Sequence, residues 1–168
     1  MNRKDNELYA SFYNKFELPL YRIIKIIFML LNVSYNNPER KEKINTEVGK
    51  AFSLAERIKM KGIGSNKLFI TSTSIKIHNL LILDKYTNTC NIEMRPDGII
   101  VSFRSLLETY ALIIPYYKLK LYKGKAEEYS IYRDHYFIKV KVDNKSTHNF
   151  MKKVLDFKAN HWTSSSQP

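Results

Sequence analysis

The chain is poor in cysteine: Cys90 is the only one among 168 residues. An intrachain disulfide is therefore excluded, as is a cysteine-built metal cluster, and a reducing compartment is the natural setting. The four histidines, at 78, 135, 148 and 161, lack the two-histidine helical spacing of a zinc protease, and neither a metal nor another cofactor is expected. Glycine is sparse, with five residues. The segment "KGIGSNK" at 61–67 has neither the spacing nor the Lys-Ser/Thr ending of a phosphate loop. No zinc-finger or RNP-type sequence is present. Long apolar runs are missing too. The most apolar stretch, "LPLYRIIKIIFMLLNV" at 18–33, is interrupted by Arg22 and Lys25 and falls short of the roughly 20 residues a spanning helix needs. Burial in protein or a place on a membrane surface both remain open for it. The opening "MNRKDNELYASFYNKFE" has no apolar run leading to a small-residue cleavage site, so no signal peptide is expected.

Acidic residues are in deficit, 16 against 28 Lys and Arg, which leaves a net charge of +12. Residues 1–66 carry +5 of it and residues 67–168 carry +7, so the excess is spread along the chain and not held in a tail. Such a balance suits anionic partners: nucleic acid, anionic lipid or an acidic protein surface. A lysine-rich solvated surface has the same composition. Apolar residues make up 44% and charged residues 26%, the balance of a globular chain with a core of its own.

The first third of the chain reads as helical. Tyr9, Phe12, Phe16, Leu20, Ile23, Ile24, Ile27 and Leu31 recur at helical spacing. After "NVSYNNPER", Asn37 and Pro38 form a cap and first-turn pair, and Ile44, Val48, Ala51, Ala55 and Ile58 continue at four-three spacing to Lys61. Beyond the loop at 62–66 the period changes to two. Strands are expected over "KLFIT", "SIKIHNLLIL", "TCNIEM", "IIVSF", "TYALII", "YKLKLYKG", "EEYSIYR" and "YFIKVKVD", with turns at "STS", "DKYTN", "RPDG" and Asp134-His135. A last helix at 146–161, capped by Asn144 or Ser146, presents Phe150, Val154, Phe157 and His161 on one face. Three segments follow: helical residues 1–66, a unit at 67–162 and a tail at 163–168. The fold class is α+β, with N-terminal helices before an antiparallel barrel or sandwich of about seven strands that a C-terminal helix caps.

The stretches "LFITSTSIKI", "ALIIPYYKLKLYKG" and "YFIKVKV", followed by the helix, resemble a bacterial pleckstrin-homology-like (GRAM-like) domain over residues 67–160. That resemblance implies a non-catalytic binding module for lipids, peptides or proteins. In phosphoinositide-binding members basic residues cluster at the first hairpin. The turn at 71–74 has none, and only Lys67 and Lys76 flank it.

The candidate binding residues are Lys76, Lys118, Lys120, Lys139 and Lys141, each alternating with an aliphatic residue, with Tyr116 and Tyr122 among them. Period two puts the lysines of one strand on one face. Basic and aromatic groups together suit an anionic partner, and the same alternation marks the watered face of any one-sided sheet. The partner expected is a protein or an anionic lipid surface, with nucleic acid as the alternative, and the N-terminal helices offer a route to a homo-oligomer. The expected location is the cytoplasm or the inner face of the membrane. Asp134, His135 and Cys90 are the residues an enzyme would have to gather, and no enzyme is expected.

Overall fold

The computed structural model describes residues 30–84, 88–124 and 127–164, with side chains to residue 161. They form an open sheet of eight antiparallel strands, where a barrel or sandwich of about seven is expected, and four helices. The strands are β1 (Leu30–Asn32), β2 (Leu68–Thr73), β3 (Thr89–Arg95), β4 (Gly98–Ser105), β5 (Glu108–Pro115), β6 (Lys120–Lys123), β7 (Glu128–Arg133) and β8 (Tyr136–Lys141). The helices are α1 (Pro38–Val48), α2 (Leu54–Lys59), α3 (Ile75–Leu81) and α4 (Lys145–Ser164). The strand order is β1-β5-β4-β3-β2-β8-β7-β6. Three hairpins turn through two residues each: Pro96-Asp97, Leu106-Leu107 and Asp134-His135.

β2 is the seam of the sheet. Its first residues, Leu68 and Phe69, pair with β3, whereas Phe69 to Thr73 pair with β8, and the register shifts between Ile70 and Ser72. The apolar parity does change there, as the sequence indicates, but the cause is a bulge inside one strand and not a turn at "STS". A bulge bends its strand and increases the local twist, which suits a strand serving two partners.

The segment after the bulge departs further from expectation. "SIKIHNLLIL" reads as a strand with Ile75 and Ile77 on one face, yet it forms α3. Ile77 and Leu81, four apart, are buried, and Ile75 is 76% exposed. Spacing of four defines the buried side, and the I-K-I alternation at its start does not. Lys76 therefore lies on a helix, off the strand faces.

The helical segment before the sheet is also reshaped. Leu30–Asn32, within the described end (30–33) of the apolar stretch at 18–33, is a strand paired with β5; the expected helix from Tyr9 otherwise lies outside the described residues. The helix expected from Pro38 to Lys61 is two helices. Asn37 caps α1 by accepting from Arg40 N, and α1 stops at Gly49, whose φ of 81° favours glycine. A Cβ there would lie 2.9 Å from Asp97 Oδ2 and 3.0 Å from Pro96 Cβ. Ser53 and Glu56 then open α2 with a reciprocal capping box.

Apolar residues fill both faces of β4 and β5. One face joins the main core with Ile77, Leu81, Met151 and Val154 from the helices. The other carries Ile100, Ala111 and Ile113, covered by Val48 of α1. That is why "GIIV" and "ALIIP" are continuous apolar runs. Each fully buried aliphatic side chain contributes on the order of 1.5–3 kcal/mol.

α4 closes the main core. Asn144 Oδ1 accepts from Thr147 N at 2.8 Å, as a cap should. Phe157 meets Phe52 edge-on at 6.0 Å, and Lys153 Nζ donates to the carbonyls of Met60 and Gly62. Arg133 is 2% exposed. Its guanidinium donates to Ile113 O and to Glu47 Oε2, the latter at 3.3 Å, so it links β7 to β5 and α1. Burial lowers its pKa, against the opposing pull of Glu47 and Asp134. Among the described residues no helix is long and apolar enough to cross a membrane.

Candidate binding face on β6, β7 and β8

Register decides which of the basic and aromatic residues meet. Lys120 pairs with Tyr132, and Tyr132 with Phe137. The next row on the same side runs Tyr122, Ser130, Lys139 and Ser72. A third row brings Glu128, Lys141 and Phe69 together. Directly opposed residues share a face. The opposite side of these strands carries Ile131, Ile138 and Val140, all buried in the main core. The face thus has three lysines around a band of rings: Tyr122 and Tyr132 lie 5.9 Å apart between centroids, and Tyr132 and Phe137 5.6 Å.

One carboxylate tempers the charge. Glu128 lies 3.7 Å from Lys139 Nζ and accepts from Thr71 Oγ1 at 2.9 Å. Among the described residues neither Lys120 nor Lys141 has a carboxylate within ion-pair distance. A lysine ammonium is a mobile point charge without a planar fork, suited to attracting phosphates more than to reading bases.

Of the seven candidates, the structure brings four together: Lys120, Lys139, Lys141 and Tyr122. The other three lie elsewhere. Tyr116 is 1% exposed, its hydroxyl donates to Arg95 O at 3.2 Å, and its ring lies against Phe157 and His161. Burial and the nearby Asp97 push its pKa up. Lys118 precedes β6, in the turn after Pro115, where its backbone N–H donates to Pro115 O. Its ammonium is 3.3 Å from Asp134. The lysine-leucine ladder is shorter than it reads, because the turn consumes Lys118 and Leu119. Lys76 sits on α3, with Nζ 5.9 Å from the centre of the Tyr136 ring.

The face also holds Tyr132, Phe137 and Phe69. The stretch "YSIYRDHYF" is rich in aromatic residues. The structure divides it: Tyr129 and Tyr136 are buried, whereas Tyr132 and Phe137 are half-exposed on the outer side. The strand alternation across Arg133-Asp134-His135 contains this division, once the two-residue turn fixes the register.

Cys90 and the Asp134-His135 pair lie in different elements. Asp134 and His135 form the β7–β8 turn, where the His135 ring lies 4.3 Å from that of Tyr136. Cys90 is buried in β3, and burial pushes its thiol pKa up to about 12. It is a protonated apolar residue at neutral pH. Among the described residues no group of three or more His, Cys, Asp or Glu could hold a metal ion. A second cationic region lies between α1 and the sheet, where Arg40, Lys41, Lys50 and Arg95 line a cleft of about 610 Å³.

Comparison with protein-family models, curated proteins and solved structures finds no match to this chain.

Proposed function

We propose that the chain is a non-enzymatic binding module of the pleckstrin-homology-like kind that works in the cytoplasm at an anionic membrane surface. The observation that carries this reading is the outer face of β6, β7 and β8, where Lys120, Lys139 and Lys141 surround Tyr122, Tyr132 and Phe137. Seven antiparallel strands from β2 to β8, followed by a helix over their core, support the fold-level part of it. Lysines near an anionic bilayer contribute about 1 kcal/mol each, and tyrosine rings suit the interfacial layer. Three lysines then amount to about 3 kcal/mol, or about a hundredfold in partition.

The test is flotation of the full chain with phosphatidylserine-containing vesicles. Binding at low salt is expected, with about a hundredfold loss in the Lys120→Gln/Lys139→Gln/Lys141→Gln variant. Protein left at the bottom at low salt, or flotation untouched by the three substitutions, overturns the assignment. Binding to an acidic protein through the same lysines is the other form of this reading.

The contiguous rings favour one further alternative. Bases stack on aromatic side chains in single-stranded nucleic-acid sites, at about 1–3 kcal/mol per base. Under that reading a labelled oligothymidine binds with a steep salt dependence, and Tyr132→Ala weakens it at least as much as any one lysine change.

A further inference from the structure

We infer that the Leu106-Leu107 hairpin tip, with the exposed Ile82 and Leu83 at the end of α3 beside it, inserts into the headgroup and acyl boundary of an anionic phospholipid bilayer. This rests on the membrane reading above and names a second, separate point of attachment.

Leu107 is 89% exposed and Leu106 55% exposed. Leu106 also has a φ of 54°, a conformation for which glycine, asparagine or aspartate is the usual choice. The tip therefore combines apolar exposure with a residue type the backbone disfavours. Folding alone gains nothing from either.

The tip is not isolated. The Ser105 hydroxyl at its foot donates to Leu80 O in the last turn of α3. That bond places Ile82 and Leu83, both exposed, two and three residues from the tie. Ile75, seven residues before Ile82, is exposed as well, with His78 and Asn79 exposed on the same side between them. At its other end α3 is tied to the proposed binding face, because Ser74 N donates to Phe137 O. Exposed aliphatic residues thus stand at both ends of α3, and those at its C-terminal end adjoin the hairpin tip.

Charge selects the occupant. The chain carries +12, Arg104 is exposed beside the tip and Lys76 is exposed on α3. Glu108, on the other side of the tip, already accepts from the Tyr110 hydroxyl at 2.6 Å. A protruding aliphatic turn with Arg104 beside it, on a chain of strongly positive net charge, matches a bilayer with anionic headgroups above an apolar interior.

The experiment uses the full chain with Leu107→Trp in a Trp162→Phe background, mixed with phosphatidylserine-containing vesicles. A blue shift of the indole emission, protection from acrylamide and quenching by brominated lipid are expected. Flotation without any of the three overturns the insertion and leaves the lysine-face reading standing. Absence of flotation overturns both. A blue shift that grows with protein concentration and without vesicles assigns the tip to a second copy of the chain and also overturns it. Leu106→Asn/Leu107→Ser is the companion variant. It places a residue suited to positive φ at position 106, so its fold is retained by circular dichroism. Its vesicle partition falls about a hundredfold, mainly in the part that survives high salt. An unchanged high-salt partition counts against insertion.

Discussion

Two hairpin tips in this sheet solve the same backbone problem in opposite ways. Leu106-Leu107 and Asp134-His135 each join adjacent strands through two residues, with a first φ of 54° and 51°. Asp134 suits that conformation, and its carboxylate is tied down at 3.3 Å from Lys118 and 3.9 Å from Arg133. His135 leans on Tyr136. The β7–β8 tip is closed on its own neighbours. Leu106 carries a side chain that such a φ penalises by about 1–2 kcal/mol, and both leucines extend into solvent. Turn chemistry therefore accounts for the polar tip and leaves the apolar one unexplained by stability, which is what directs attention to its use.

The largest expected effect is at the base of the polar tip. Arg133→Ala leaves Ile113 O without its donor and Glu47 without its partner, and should cost about 3 kcal/mol in urea unfolding. A loss below about 1 kcal/mol would mean that water replaces the guanidinium freely. Next in size, Leu106→Asn should raise stability by about 1 kcal/mol, since asparagine tolerates the left-handed region. A drop in melting temperature would show that the leucine packs in solution, and would remove the contrast between the tips. The smallest effect belongs to Asp134→Asn, which keeps the φ tolerance and removes only the charge of a half-exposed carboxylate facing Lys118 and, at 3.9 Å, Arg133. It should shift stability by less than about 0.5 kcal/mol, with the difference vanishing in high salt.

How much of this was readable beforehand varies by element. Strands β3, β7 and β8 were legible from alternation, and β4 and β5 from short apolar runs, bounded by the turns at Pro96-Asp97 and Asp134-His135. The α4 cap was legible from residue type as Asn144 or Ser146, and the structure selects Asn144. α3 was not: over seven residues "IKIHNLL" satisfies both periods at its start, and the core settled the matter by accepting Ile77 and Leu81. The break in the expected helix at 38–61 was written in Gly49 and in the S-x-x-E box at 53–56, which the four-three apolar spacing overshadowed. β1 could not be read locally, since three residues become a strand only by meeting β5. At the candidate face, the lysines of β6 and β8 were legible as alternation, but neighbouring strands had to be aligned before Tyr132 and Phe137 joined them. Tyr116 misled because it follows Pro115 just where the strand ends and the chain turns inward.

The shared strand β2 has a consequence for how the protein is made. Its first half finds β3 about twenty residues downstream, but its second half must wait for β8, about seventy residues further along the chain. Closure of such distant pairs is slow, and on the ribosome it cannot begin until Lys141 has emerged. Until then Ile70 to Thr73 present an open hydrogen-bonding edge. A nascent or truncated chain ending near Gly124 would accordingly be the form most in need of a chaperone.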